Sequence, residues 1–375
     1  MPLAESRKGE SFGFHVYPIV SNEGTLGNPE TIVWASIRNL CSRNIAEGTA
    51  AVIYGVKKKR DREAVARNLK LYIRQASEFY DAAGIAKPNT APLIYYYSFL
   101  NLAKGLCELT RPDFHRLREC YRHGISWRPN PQKLVDPARE VVSITGRGVW
   151  HVLWEAVAGR ACPAANPTGL RIRDLFSYCP EVSVENGRAF DKKLMLIDVE
   201  QPDVIFDRGT WEAWLRLSVR RTDLKGFGIS ATRLMSLIST ARSGYLEVKS
   251  NDKELRMFQS ATPKKILKHE TPHETLQSDI MALNAFVHLA YERKLKYFVP
   301  LQSRLPLVMP QLVVYYTILF WLGSLVRYDP HSVNALMDSE YWMLIEGFMS
   351  QSRLWLLELF EWAFYKAETT LWTSR

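Results

Sequence analysis

Residues 91–109 read Ala-Pro-Leu-Ile-Tyr-Tyr-Tyr-Ser-Phe-Leu-Asn-Leu-Ala-Lys-Gly-Leu-Cys-Glu-Leu. The run is apolar around most of a helical circumference, so it predicts a helix buried inside a helical core. Four polar residues interrupt it: Tyr97, Asn101, Lys104 and Glu108. Steps of four, three and four align them along one face as a continuous polar line. A buried polar line needs partners, because unpaired polar groups cost free energy away from water. Two readings of the line stay open. In one it is structural, with Lys104 paired to Glu108 and Asn101 capping a neighbouring backbone. In the other it faces a groove that holds a ligand or a reacting phosphate.

Upstream lies the densest positive run, Lys57-Lys58-Lys59-Arg60-Asp61-Arg62. It leads into a helix over 63–83, with Val65, Leu69, Tyr72, Ile73 and Ala76 at helical spacing and Gly84 and Pro88 ending it. Lys57, Lys58, Lys59 and Arg60, with Arg67, Lys70 and Arg74, form a candidate phosphate-binding stripe or a solvated face. Downstream, Thr110, Pro112 and Asp113 predict the start of a third helix, and Gly124 predicts its left-handed end. That segment carries Arg116, Arg118 and His123. A metal-independent ribonuclease needs a group that titrates near neutrality to move a proton, which histidine supplies. It also needs a fixed cation on the phosphate, which arginine supplies with two parallel hydrogen bonds. A histidine in a last helical turn is also favoured there by the helix dipole without any catalysis.

Between 136 and 270 the pattern changes to short strands: Val141–Ile144, Leu194–Val199, Leu215–Val219 and Tyr245–Lys249. Leu215, Leu217 and Val219 alternate with Arg216, Ser218 and Arg220, the mark of a half-buried strand. Beyond Pro272, helices are predicted over 275–295, 311–327, 332–349 and 353–367. The expected fold is therefore α+β and mostly helical. Three regions follow: helical 1–135, strand-bearing 136–270 and helical 271–375.

No charge occurs between Leu305 and Val326, but Pro306 and Pro310 leave only 16 uncharged residues before Arg327. This predicts a buried core helix and no membrane span. The net charge of +10 suits a polyanionic partner. Five scattered cysteines without a Cys-x-x-Cys pair, and an N-terminus without an apolar core, predict a cytoplasmic protein without disulfides. No cofactor or metal is expected: His269 and His273 flank Pro272 with no ordered acid or cysteine nearby, and no phosphate loop or serine-hydrolase elbow occurs. His151 and His288 lie in apolar runs and read as hydrogen-bonded core histidines.

Tyr95-Tyr96-Tyr97-Ser98-Phe99-Leu100-Asn101-Leu102-Ala103-Lys104 and His123-Gly124-Ile125 resemble the YaaC-like proteins of bacteria. So do Gly148-Val149-Trp150-His151-Val152-Leu153 and Leu325-Val326-Arg327-Tyr328-Asp329-Pro330, in the same order over about 30–370. A tyrosine-rich helix followed by Arg-x-x-x-x-His also resembles the HEPN superfamily of helical domains, many of them ribonucleases of bacterial defence. That resemblance implies a HEPN-like bundle built from the N- and C-terminal helices and a dimer with a composite site. It implies Arg118 as phosphate cation and His123 as acid–base, with Asn101 and Lys104 on the adjoining helix. Glu119 stands where that superfamily usually has a small polar residue or histidine. The partner implied is RNA, the enzyme a metal-independent ribonuclease of defence or stress, and the assembly a homo-oligomer. The competing reading is a non-catalytic subunit that binds nucleic acid or a partner protein in the same groove.

Overall fold

The structure is a computed structural model that describes residues 5–13, 29–162, 169–191, 194–239, 244–284, 288–292, 294–301 and 309–366. The helices are α1 (Pro29–Asn39), α2 (Arg43–Val52), α3 (Lys59–Ile85), α4 (Ala91–Thr110), α5 (Val149–Ala158), α6 (Ile172–Phe176) and α7 (Ser183–Phe190). They continue with α8 (Arg221–Gly226), α9 (Ala231–Ile238), α10 (Pro272–Asn284), α11 (Gln311–Tyr328), α12 (Pro330–Met337) and α13 (Tyr341–Tyr365). The strands are β1 (Glu10–Gly13), β2 (Ile125–Ser126), β3 (Val141–Ile144), β4 (Leu170–Arg171), β5 (Leu196–Val199) and β6 (Gln201–Asp207). After them come β7 (Glu212–Arg220), β8 (Tyr245–Val248), β9 (Leu255–Ser260), β10 (Lys264–Lys265), β11 (His288–Glu292) and β12 (Lys294–Pro300). The protein is α+β and mostly helical, as its sequence predicts.

One compact unit holds α1–α7, β2–β4 and α11–α13. Its centre is α4, packed by α3, α5, α11 and α13. Tyr95, Tyr96, Phe99, Leu102, Leu106 and Leu109 of α4 are buried. Each such side chain contributes roughly 1.5–3 kcal/mol relative to an exposed one. Gly323 of α11 lies against Tyr96, where an added Cβ would come within 3.0 Å of the tyrosine Cβ, so glycine permits the close approach of the two helices. α11 matches the expected core helix and is buried along Gln311–Leu325. The expected helices 332–349 and 353–367 are divided differently. The Asp329 carboxylate accepts from Ser332 N at 3.0 Å and starts α12. α12 ends at Met337, and α13 then runs unbroken from Tyr341 to Tyr365. The change of pattern near 136 marks β3, which pairs with β2 and β4 inside this helical unit.

The other unit holds β1, β5–β12 and α8–α10. Its larger sheet is antiparallel in the order β1-β6-β7-β9-β8, with β10 also paired to β7. β7 contains the alternating run and is the central strand. Both faces are covered, so Trp214 and Ser218 are buried as well as Leu215, Leu217 and Val219. The helix expected over 275–295 stops at Asn284, and an antiparallel hairpin follows, with His288 opposite Phe298 and Tyr291 opposite Leu295. The alternation of Lys294, Lys296 and Phe298 with Leu295, Tyr297 and Val299 has the strand period of two, which explains the switch. The expectation of a core histidine at His288 concerns a side chain outside the described residues. Among the described residues no helix is long and apolar enough to cross a membrane, and none of the five cysteines forms a disulfide.

Candidate functional site

The helix expected from Thr110 to Gly124 does not form. The Thr110 hydroxyl donates to Leu106 O at 3.0 Å, and α4 ends there because Arg111 turns extended, φ -136° and ψ 91°. Asp113 then takes a left-handed conformation, φ 68°, which breaks the next helical start. Two 3-10 turns follow, Phe114–Arg116 and Arg118–Tyr121, separated by an extended Leu117. Tertiary partners take the hydrogen-bonding groups a helix would need. The Glu108 carboxylate accepts from His115 N at 2.6 Å. At the other end, Val149 N donates to Arg122 O at 2.8 Å and Trp150 N to His123 O at 2.9 Å. Residues 122 and 123 thus satisfy the free amides at the start of α5. Gly124 is left-handed as expected, φ 81°, but at a chain crossing instead of a helix end. An added Cβ at Gly148 would lie 2.5 Å from Arg122 O and 2.4 Å from Gly124 N, so the two segments touch backbone to backbone.

This crossing sets His123 beside the first turns of α4. Its Nδ1 lies 2.6 Å from the hydroxyl of buried Tyr96. The ring packs against Tyr96 and Phe320, with centroids 5.8 and 5.4 Å away. Burial, then the Lys104 ammonium and the Arg327 guanidinium, hold the imidazole below its ordinary pKa and keep it neutral at pH 7. Arg327, exposed at the end of α11, donates from Nη1 to the Tyr97 hydroxyl at 3.3 Å and lies 5.1 Å from the Tyr328 ring centroid. Lys104 is half-buried and, among the described residues, has no hydrogen-bond or ion-pair partner.

The polar line of α4 therefore divides. Tyr97 and Lys104 join His123 and Arg327. Asn101 turns its amide onto its own helix and donates to Tyr97 O at 2.9 Å. Glu108 pairs with His115 instead of Lys104: the carboxylate is fully buried and lies 3.0 Å from His115 Nδ1, with Asn68 of α3 beside the pair. Burial pushes the Glu108 carboxyl up, and the bonds from His115 oppose that rise.

Arg118 is exposed and, among the described residues, makes no hydrogen bond or ion pair; it is not among the charges acting on His123. Arg116 is also exposed, 3.9 Å from Asp113. Glu119 faces Arg147 at 3.8 Å, and Arg147 in turn binds Glu155 through both carboxylate oxygens at 2.7 and 2.8 Å. Lys57, Lys58, Lys59 and Arg60 are exposed around the first turn of α3. Cations at the positive end of a helix dipole do not stabilise that helix. His151 packs against Trp150, and its buried Nδ1 has no partner among the described residues, where a hydrogen bond was expected. Tyr96, Arg327 and Tyr328 escape the sequence reading. Tyr96 belongs to the apolar face of its helix; Arg327 is marked as the first charge after a long uncharged run and, with Tyr328, lies in the motif Leu325–Pro330, but neither signal gives it a role at His123. Among the described residues no three His, Cys, Asp or Glu side chains are grouped to hold a metal ion.

The YaaC-like protein family profile matches residues 47–361, which is most of the chain and includes every residue of this site. The chain belongs to the YaaC-like family. A search of curated proteins finds no match. In this YaaC-like chain, the matched region also contains the strand-bearing segments β5–β12.

Proposed function

We propose that this chain is a HEPN-like, RNA-targeting protein that grips a phosphodiester at His123, Lys104 and Arg327 and cleaves it without a metal. The observation that carries the reading is the charge around His123: a neutral imidazole whose acting charges are both cations. Such a charge arrangement attracts an anion, and an imidazole held neutral at pH 7 keeps one ring nitrogen free to accept a proton. In the tautomer that donates Nδ1–H to the Tyr96 oxygen, that nitrogen is Nε2. Nε2 would take the proton of a ribose 2′-hydroxyl, whose oxygen then attacks the adjoining phosphorus. The 5′-oxygen leaves, and a 2′,3′-cyclic phosphate results. Lys104 and Arg327 would stabilise the charge that develops on the phosphoryl oxygens. A cytoplasmic role in bacterial defence or stress, as a homo-oligomer, fits this chemistry.

Incubating the protein with a single-stranded RNA in EDTA tests the reading. Cleavage to 2′,3′-cyclic ends is expected, with no cleavage of the 2′-deoxy oligonucleotide. His123→Ala should slow it by roughly a hundred- to ten-thousandfold. Equal cleavage by His123→Ala would sink the assignment. A second reading, binding without cleavage, is favoured by one observation: Arg118 is not among the charges acting on His123. Tight RNA binding by a wild type that never cuts would select it.

A further inference from the structure

Beside the cations lies an aromatic ledge. Phe79 of α3 is 36% exposed and packs on Tyr97 with centroids 5.7 Å apart and planes 32° apart. Tyr328, at the last position of α11, is 56% exposed. Arg327 joins the two, bonding the Tyr97 hydroxyl and covering the Tyr328 ring. Single exposed aromatics are ordinary on protein surfaces. The Phe79–Tyr97 pair and the Tyr328 ring, linked through Arg327 on the helix face that also carries Lys104, are a more specific arrangement, because unpaired nucleobases stack on aromatic side chains and arginine planes while cations hold the neighbouring phosphate. A base inside a duplex is already stacked and cannot lie on such a ledge.

We infer that Phe79, Tyr97 and Tyr328 form a stacking platform for an unpaired nucleobase, so that the ligand is a nucleoside phosphate with a free base face. This rests on the phosphate reading of His123, Lys104 and Arg327 and narrows it to single-stranded substrates. The shared chemistry covers a free mononucleotide and a single strand, which differ in how many phosphates and bases they bring.

The test is fluorescence anisotropy on the full chain with a labelled single-stranded 12-mer RNA, the same RNA in a blunt duplex, a labelled mononucleotide, and phosphatidylserine vesicles. The single strand should bind more tightly than the duplex. Tyr328→Ala and Phe79→Ala should each weaken it by roughly five- to a hundredfold. The duplex should respond to neither change, and Tyr328→Phe, which keeps the ring, should bind as wild type. Mononucleotide binding as tight as the 12-mer and equally sensitive to Tyr328→Ala would keep the platform and name the free nucleotide as its ligand. Full-strength single-strand binding by both alanine variants, with Lys104→Met weakened, overturns the platform and leaves the phosphate site standing. Binding to vesicles alone, lost in Tyr328→Ala, overturns the platform in favour of a lipid surface. No RNA or nucleotide binding by wild type overturns both readings.

Discussion

His115 and His123 are eight residues apart and lie against opposite ends of α4, yet their surroundings are opposed. His115 sits on a fully buried carboxylate, Glu108, which takes both its backbone amide and its ring nitrogen. His123 has a tyrosine hydroxyl for a partner, and the charges acting on it are cations. The first arrangement uses histidine to satisfy a buried acid and to anchor the turn after α4. The second leaves a half-buried, neutral ring among positive charges. One residue type thus does structural work at one end of a helix and offers anion chemistry at the other. What separates the two is where the nearest carboxylate lies.

The largest effect should come from breaking the structural end. Glu108→Ala removes the acceptor of His115 and opens a cavity, so urea unfolding should show a loss of about 3 kcal/mol. The His123 ring titration should stay in place, because Glu108 is not among the groups acting on it. An unchanged unfolding midpoint would mean that the Glu108–His115 pair anchors nothing.

Gly148→Ala drives a methyl group into the backbone at Arg122 and Gly124. A loss of about 2 kcal/mol is expected, with shifted His123 ring resonances because the segment carrying it must move. Stability without movement of those resonances would show that the crossing does not position His123.

Lys104→Met and Arg327→Met test the cationic end. Each should raise the His123 pKa toward its ordinary value near 6.5, as read by NMR titration of the ring. Each should also lower the slope of log affinity for single-stranded RNA against log salt by about 0.7. A His123 titration that ignores both changes would remove the cations from the site.

The same lowered pKa carries a pH signature for folding. The unfolded chain binds the His123 proton at about 6.5 and the folded chain only at lower pH. The unfolded state therefore binds more protons between those two values. The stabilising contribution is full above pH 6.5, falls as pH drops toward the folded pKa and levels off below it. His123→Asn should flatten that part of the stability curve measured by urea unfolding. The smallest effect expected is from Lys57→Glu with Lys58→Glu, which should reduce the salt dependence of RNA binding and leave the His123 titration unchanged.

Much of this was legible along the chain. The helix over 91–109, the core helix from Gln311 and the strand Val141–Ile144 appear where composition and period put them, because burial and hydrogen-bond pattern act locally there. The segment 110–124 carries good helix signals and still folds as 3-10 turns and a crossing. Glu108 captures the His115 amide, and α5 captures the carbonyls of Arg122 and His123. Local propensity cannot register a competitor that arrives from another helix.

By itself, then, the sequence determined that α4 is buried, that it carries a polar line and that His123 belongs near it. Tertiary structure alone decided which cation His123 meets. Arg118 is five residues away in sequence and stays in solvent, while Arg327, some two hundred residues away, joins Lys104 in acting on the ring. The physical reason is packing: Gly323 lets α11 close on Tyr96, and the last turn of that helix carries its arginine to the Tyr97 hydroxyl.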